Sequence, residues 1–251
     1  MPGIVCALVF AASAAATFVG CRSMLAMTGM PMPGGWTMSM TWMRMPGETW
    51  AQAGATFLRM WIVMMVAMML PSLAPVLGRY RQAVGPAGRG RAARLTGLVS
   101  LGYFAVWSAL GLAAFAGGVL LAAGAMQIPR LARAVPIAAG LIVVIAGAAQ
   151  LTAWKARRLE CCRKPPARSC AHGRAALRYG LRLGLDCSYC CSGLTAFLLV
   201  AGVMDLNAMT AVTAAITAER LAPDGARIAR ATGVVLMGVG FVLLARAALL
   251  E

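Results

Sequence analysis

Apolar residues fall into six long blocks, at 4–20, 57–77, 97–124, 135–154, 183–204 and 233–250. Each is near the length, roughly 17 to 25 residues, that lets a helix cross a bilayer core. A shorter block at 206–221 carries Asn207, Thr210, Thr213 and Thr217 and ends around Glu219. It reads either as a bundle-facing helix with a polar stripe or as a half-inserted segment. The pattern predicts an all-α protein, a polytopic transmembrane helical bundle of about seven membrane helices, or six if 206–221 does not span. Residues 1–56 form an N-terminal membrane segment followed by an outer methionine-rich loop. Residues 57–251 form a single helical membrane domain with a basic, cysteine-containing cytoplasmic linker at 155–182. The first block can also be read as a signal peptide, since Phe18-Val19-Gly20-Cys21 faintly resembles a lipoprotein cleavage site. No basic residue precedes it, which argues against a secretory leader.

Composition agrees with the pattern. Hydrophobic residues make up 61% of the chain and charged residues 12%, with a mean hydropathy of +0.79, outside the range of water-soluble domains. The net charge of +16 would suggest nucleic acid in a soluble protein. Here the bilayer is the expected partner and nucleic acid is not, because the basic residues sort by side. Arg79, Arg81, Arg89, Arg91 and Arg94 follow the second block, nine Lys and Arg lie between Lys155 and Arg182, and Arg220, Arg227 and Arg230 precede the last block. The positive-inside rule then puts the N terminus inside and the methionine-rich loop outside.

Thirteen of the eighteen methionines lie between Met24 and Met69. Met24, Met27, Met30, Met32, Met38, Met40, Met43 and Met45 occupy a segment interrupted by Pro31, Pro33, Gly34 and Gly35. These breakers predict a mobile loop whose thioethers can converge on one ion, with Trp36 and Trp42 at the membrane interface. Met60, Met64, Met65, Met68 and Met69 then fall on the second block. The pairs 60/64, 64/68 and 65/69 are four residues apart, so their sulfurs stack into a ladder on adjoining helix faces. The ladder leads towards Pro71 and Pro75, which are expected to kink the helix. Thioether is a soft, uncharged ligand suited to Cu(I). Gap filling between helices is the competing reading.

Cysteines cluster at the opposite side. Cys187, Cys190 and Cys191 are related as i, i+3 and i+4, so three thiols share one helical face in a pattern suited to a trigonal thiolate site. Arg178 and Arg182 stand nearby in sequence. Cys161, Cys162, Cys170 and His172 sit in the basic linker as possible further ligands, and a zinc site using Cys161, Cys170, His172 and one of the three clustered thiols is an option. His172 is the single histidine, and no set of several carboxylates supports a di-iron centre. Glu219 is a candidate for coupling proton or metal movement, set against a plain ion pair at the interface.

Two stretches together, Trp61-Ile62-Val63-Met64-Met65-Val66-Ala67-Met68-Met69-Leu70-Pro71 and Gly184-Leu185-Asp186-Cys187-Ser188-Tyr189-Cys190-Cys191, with a continuation through Gly202-Val203-Met204 to Glu219-Arg220, carry a resemblance. They resemble a bacterial family of predicted metal-binding integral membrane proteins, a domain of unknown function, over roughly 57–244. The family pattern has Trp where this chain has Ser192. The resemblance implies a helical protein of the bacterial inner membrane with a metal site at Met64, Met65, Met68, Met69, Cys190 and Cys191. A weaker likeness, in function only, is to Ctr-type copper transporters, which also combine an external methionine-rich segment, Met-x-x-x-Met on a membrane helix, and cysteine or histidine inside.

The expected protein is therefore a non-enzymatic membrane Cu(I)-binding protein. It would take copper at the outer loop and pass it along the ladder to the three thiols, with a copper chaperone or cuproprotein as a possible partner and a homo-oligomer as a possible state. Two alternatives stand beside it. One is a thiol–disulfide carrier working through Cys187 and Cys190. The other is a structural or assembly subunit packing through Gly111, Gly117, Gly118, Gly233, Gly238 and Gly240. The relay reading requires the ladder and the thiols to face each other.

Overall fold

The computed structural model describes residues 2–25, 29–84, 88–163 and 172–249, and of these the side chains of 2, 24, 25, 89 and 161–163 are not described. Eight α-helices follow in order: α1 (Pro2–Leu25), α2 (Trp50–Val84), α3 (Arg89–Gln127), α4 (Pro129–Gln150), α5 (Ala153–Arg163), α6 (Gly173–Ala201), α7 (Leu206–Leu221) and α8 (Gly225–Leu249). Six of them, all but α5 and α7, are long and apolar enough to cross a membrane. The expected linker at 155–182 is largely helical at its two ends, taken up by α5 and by the first turns of α6.

Local chemistry sets several boundaries. Thr49 and Gln52 form a capping box at the start of α2, with the Gln52 Oε1 accepting from the Thr49 N–H at 2.8 Å and the Thr49 Oγ1 accepting from the Gln52 N–H at 3.3 Å. Ile128 ends α3 and begins α4, with Pro129 in the first turn, where its missing N–H costs nothing. Asp205 caps α7 by accepting from the N–H groups of Asn207 and Ala208. Pro71 and Pro75 lie inside α2, which continues through both.

Core position follows burial. In the most apolar stretch of α2, 61% of residues are buried, against 6% in α1, so α2 is the central helix and α1 lies at the periphery. Large apolar side chains on α1, α3 and α8, including Ile4, Leu8, Leu101, Leu120, Val235 and Phe241, point outwards. This is the arrangement a lipid-facing surface takes. α2 packs on α1, α3 and α7, while α6 packs on α3, α4, α5 and α7. α7 begins beside Cys21, near the end of α1, and ends against α5.

Glycine brings two pairs of helices into backbone contact. A Cβ on Gly180 of α6 would lie 2.2 Å from the Val99 carbonyl oxygen of α3, and a Cβ on Gly147 of α4 would lie 2.7 Å from the Gly233 carbonyl oxygen of α8. Of the glycines expected to permit close approach, Gly111 receives Trp61, Gly118 receives Trp42, and Gly233 and Gly240 meet α4, whereas Gly117 and Gly238 face open space. Gly180→Ala should separate α3 from α6 and lower stability by about 1–3 kcal/mol. Gly117→Ala should be neutral or slightly stabilising. Thermal unfolding of the two purified variants would check the contrast.

The methionine-rich segment is more ordered than its breakers suggest. Met30–Met32 and Trp36–Met38 form a short antiparallel hairpin, turned by Gly34 and Gly35 at φ +99° and +73°. A 3-10 turn, Met40–Trp42, follows. Met32 and Met38 are buried against Ala122, Ala125 and Ala132, at the junction of α3 and α4. The Trp36 Nε1 donates to the Ala132 carbonyl at 2.9 Å. The expectation of a mobile loop is corrected: alanines at the α3–α4 junction leave room for Met and Trp side chains to dock.

Candidate metal centre

The α6 thiols lie deep in the bundle. Cys187, Cys190 and Cys191 are each buried, and the i, i+4 pair Cys187 and Cys191 brings its sulfurs to 3.9 Å. A metal–thiolate bond of about 2.3 Å sets trigonal ligands about 4.0 Å apart, so this pair already has the separation of two ligands on one ion. Among the described residues, no three Cys, His, Asp or Glu side chains gather into a metal-binding group. The arrangement is thus a two-thiol pair with Cys190 beside it on the same helix face.

Groups from three other helices close around the pair. The Tyr103 hydroxyl of α3 lies 3.0 Å from the Cys187 Sγ. The Arg220 Nη1 of α7 donates to the same sulfur at 3.2 Å and to the Ser72 Oγ of α2 at 3.0 Å. Ser72 in turn donates to the Met69 carbonyl at 3.0 Å. One guanidinium nitrogen therefore joins the last turn of the methionine ladder to the first of the α6 thiols. A pair of thiolates on one monovalent ion would carry a net charge of −1, and Arg220 is the cation that stands against it.

The preceding residue of α7 serves another cluster. The Glu219 carboxylate pairs with the Lys155 Nζ of α5 at 2.7 Å, with both side chains at most 3% exposed. It also accepts from the Gln150 Nε2 at 3.1 Å. Lys155 donates to the Cys190 carbonyl at 2.6 Å, so α5, α6 and α7 are pinned together directly behind the thiols. Burial alone would lower the Lys155 pKa, but the charges of Cys190, Glu219 and Cys191 outweigh it and hold the pKa above the ordinary value.

The ladder is largely inside. Met64, Met65, Met68 and Met69 are each at most 2% exposed, Met60 is half-buried, and the first four share one core with Cys187, Cys190 and Cys191. The ladder and the thiols, which the relay reading requires to face each other, are joined indirectly: α2 and α6 share α3 and α7 as neighbours and meet through Arg220. In the outer set, Met32 and Met38 are buried, Met40 and Met43 are half-buried, and Met30 and Met45 are exposed. Met24 lies in α1 with its side chain undescribed, and Met27 lies outside the described residues.

Of the linker candidates only His172 is described with its side chain, and it does not join this site. Cys161 and Cys162 are in the last turn of α5 with side chains undescribed, and Cys170 lies outside the described residues. His172 is the exposed N-cap of α6. It is fifteen residues from Cys187 on the same helix, about 22 Å at 1.5 Å per residue. A zinc site uniting His172 with one of the α6 thiols is therefore corrected. Arg178 and Arg182 are exposed, and Arg220 holds the place beside Cys187. Asp186 pairs with Arg158 at 3.4 Å at the rim.

Sequence reading missed Arg220, Tyr103 and Lys155 as parts of this site: Lys155 entered only as an inner-side charge, and Arg220 as an inner-side charge and as the residue beside Glu219. The available signal was the Glu219-Arg220 pair on a short apolar helix, since ionisable groups at such depth need partners.

Buried thiols and thioethers thus gather inside a helical bundle of membrane-crossing length, with one guanidinium beside a thiol pair. The chain matches the PpoB2 family, described as copper chaperone, over residues 58–243, and it belongs to that family. The match covers about three quarters of the chain, ends within a residue of the expected 57–244 on each side, and gives the suspected metal an identity. No curated protein and no solved structure matches the chain.

Proposed function

We propose that this protein is a membrane copper chaperone that collects Cu(I) at the methionine hairpin, carries it along Met60, Met64, Met65, Met68 and Met69, and presents it to Cys187 and Cys191. The hairpin faces the outside of a bacterial inner membrane and α5 faces the cytoplasm, following the distribution of basic residues. All seven long and short apolar helices cross, α7 included. Ligand chemistry supports inward movement, because neutral thioethers hold Cu(I) loosely and anionic thiolates hold it tightly. The role needs no catalytic step, and a copper protein or soluble chaperone would be the acceptor. The observation that carries the reading is the Arg220 bridge, which holds Ser72 and Cys187 on one nitrogen. A thiol–disulfide carrier working through Cys187 and Cys190 would leave the buried methionines of α2 without a ligand role, and the ladder variant below separates the two readings.

Anaerobic Cu(I) titration against a competing chelator tests this. The wild type is expected to bind Cu(I), and a variant with Met64, Met65, Met68 and Met69 changed to Leu is expected to lose sites while staying folded, since Leu keeps the apolar volume. Equal binding by the two proteins would remove the ladder from the mechanism. A variant with Cys187 and Cys191 changed to Ser should lose the tightest site.

A further inference from the structure

Three sulfurs apart from the α6 thiols meet at the methionine end of the bundle. Cys21, near the end of α1, is buried, and its Sγ lies 3.7 Å from the Met204 Sδ and 3.9 Å from the Met209 Sδ. The two methionines come from the turn after α6 and from the first turns of α7. Gly202, at φ +114°, ends α6 in a conformation that side chains resist, and Asp205 caps α7 three residues later. That short turn sets Met204 and Met209 on the same side, against α1.

The spacing is that of ligands rather than of a single contact. With metal–sulfur bonds of about 2.3 Å, trigonal ligands stand about 4.0 Å apart, and both separations from Cys21 are close to this. A cavity of about 320 Å³ opens beside the group, lined by Cys21 and Met204 on one wall and by Met60 and Met64 of α2 on another. The first rungs of the ladder thus share an open space with a thiol and a thioether that sequence reading left unassigned.

We propose that Cys21, Met204 and Met209 form a second Cu(I) site, and that the ion passes through the adjoining cavity to Met60 and Met64. The identity of the ion rests on the copper reading above, while the geometry stands independently of the α6 thiols. Binding exchanges the thiol proton for the metal, Cys–SH plus Cu(I) giving Cys–S–Cu(I) plus a proton, with no change of oxidation state. One thiolate and one Cu(I) sum to zero charge, so this apolar site needs no counter-ion of the kind Arg220 provides at Cys187. One thiolate with two thioethers also falls between the all-thioether hairpin and the dithiolate pair in ligand strength; release to the thioethers of Met60 and Met64 reverses the exchange, with Cys21 regaining its proton.

The test uses the full chain purified in detergent without oxygen, with chelator-buffered Cu(I) and alkylation by N-ethylmaleimide read at each cysteine by mass spectrometry. Bound Cu(I) is expected to slow alkylation of Cys21 by about tenfold or more, because a coordinated sulfur is a poor nucleophile. The protection should persist when Cys187, Cys190 and Cys191 are all changed to Ser, and should vanish in Met204→Leu/Met209→Leu. If that double variant fails to fold, the wild-type footprint still decides. Unchanged alkylation of Cys21 in protein that carries Cu(I) elsewhere overturns this site and leaves the α6 reading standing. Protection of Cys21 with Cys187 and Cys191 unprotected supports this site and overturns the α6 one.

Discussion

Glu219→Gln should destabilise the protein by about 3–5 kcal/mol, because it leaves the Lys155 ammonium buried without its carboxylate. Reversible unfolding in mixed detergent micelles would measure the loss. The double variant Lys155→Met/Glu219→Gln should recover much of it, since a buried pair exchanged for groups of similar volume is often neutral. The pH dependence separates a lost charge partner from general disruption. In the wild type the Lys155 pKa is held above 10.5, with burial opposing the shift and the charges of Cys190, Glu219 and Cys191 outweighing it. The stabilisation from the pair is therefore complete below pH 10.5 and is lost only as pH rises through the raised folded value. Without the carboxylate one of those raising influences is gone and the folded pKa falls, so the gap in stability between wild type and variant should be widest below the variant's folded pKa and should narrow as pH rises from there through the wild-type one. A pH-independent loss would mean that Glu219 acts through packing, and the charged cluster would no longer explain how α5 is held.

The helices were legible because their apolar blocks are long and bounded by charge, and the ladder because four-residue spacing survives any packing of α2. What could not be read was how helices meet. Arg220 follows Glu219 directly, and sequence alone offered them as partners; on α7 adjacent residues point about 100° apart, so one reaches Lys155 and the other Cys187. Tyr103 carries no local signal, since its contact with Cys187 depends on Gly180 letting α3 and α6 touch. The hairpin was hidden by its own Pro and Gly residues, which mark turns equally well in ordered and mobile chain. Cys21 drew notice only as part of a cleavage-like motif; the two methionines that meet it are 183 and 188 residues away.

Arg220→Met should weaken Cu(I) binding at the α6 thiols by about 10–100-fold, the usual loss when a group supporting metal ligands is removed. The reasoning is electrostatic. A dithiolate holding Cu(I) keeps one negative charge in a dry interior, and the guanidinium that touches the Cys187 Sγ is what balances it. Met fills similar length and leaves Ser72 bonded to the Met69 carbonyl, so the path of α2 should survive. Arg220→Lys restores the charge without the planar fork that reaches Ser72 and Cys187 together, and an affinity between the two is expected. Competition titration gives affinity and thermal unfolding gives stability, and the two should part: affinity falling in Met and partly rescued in Lys, with unfolding nearly level. If Arg220→Met binds Cu(I) as tightly as the wild type, no anionic copper–thiolate unit sits at Cys187, and the ion's last station must be sought among the thioethers, where no counter-ion is required.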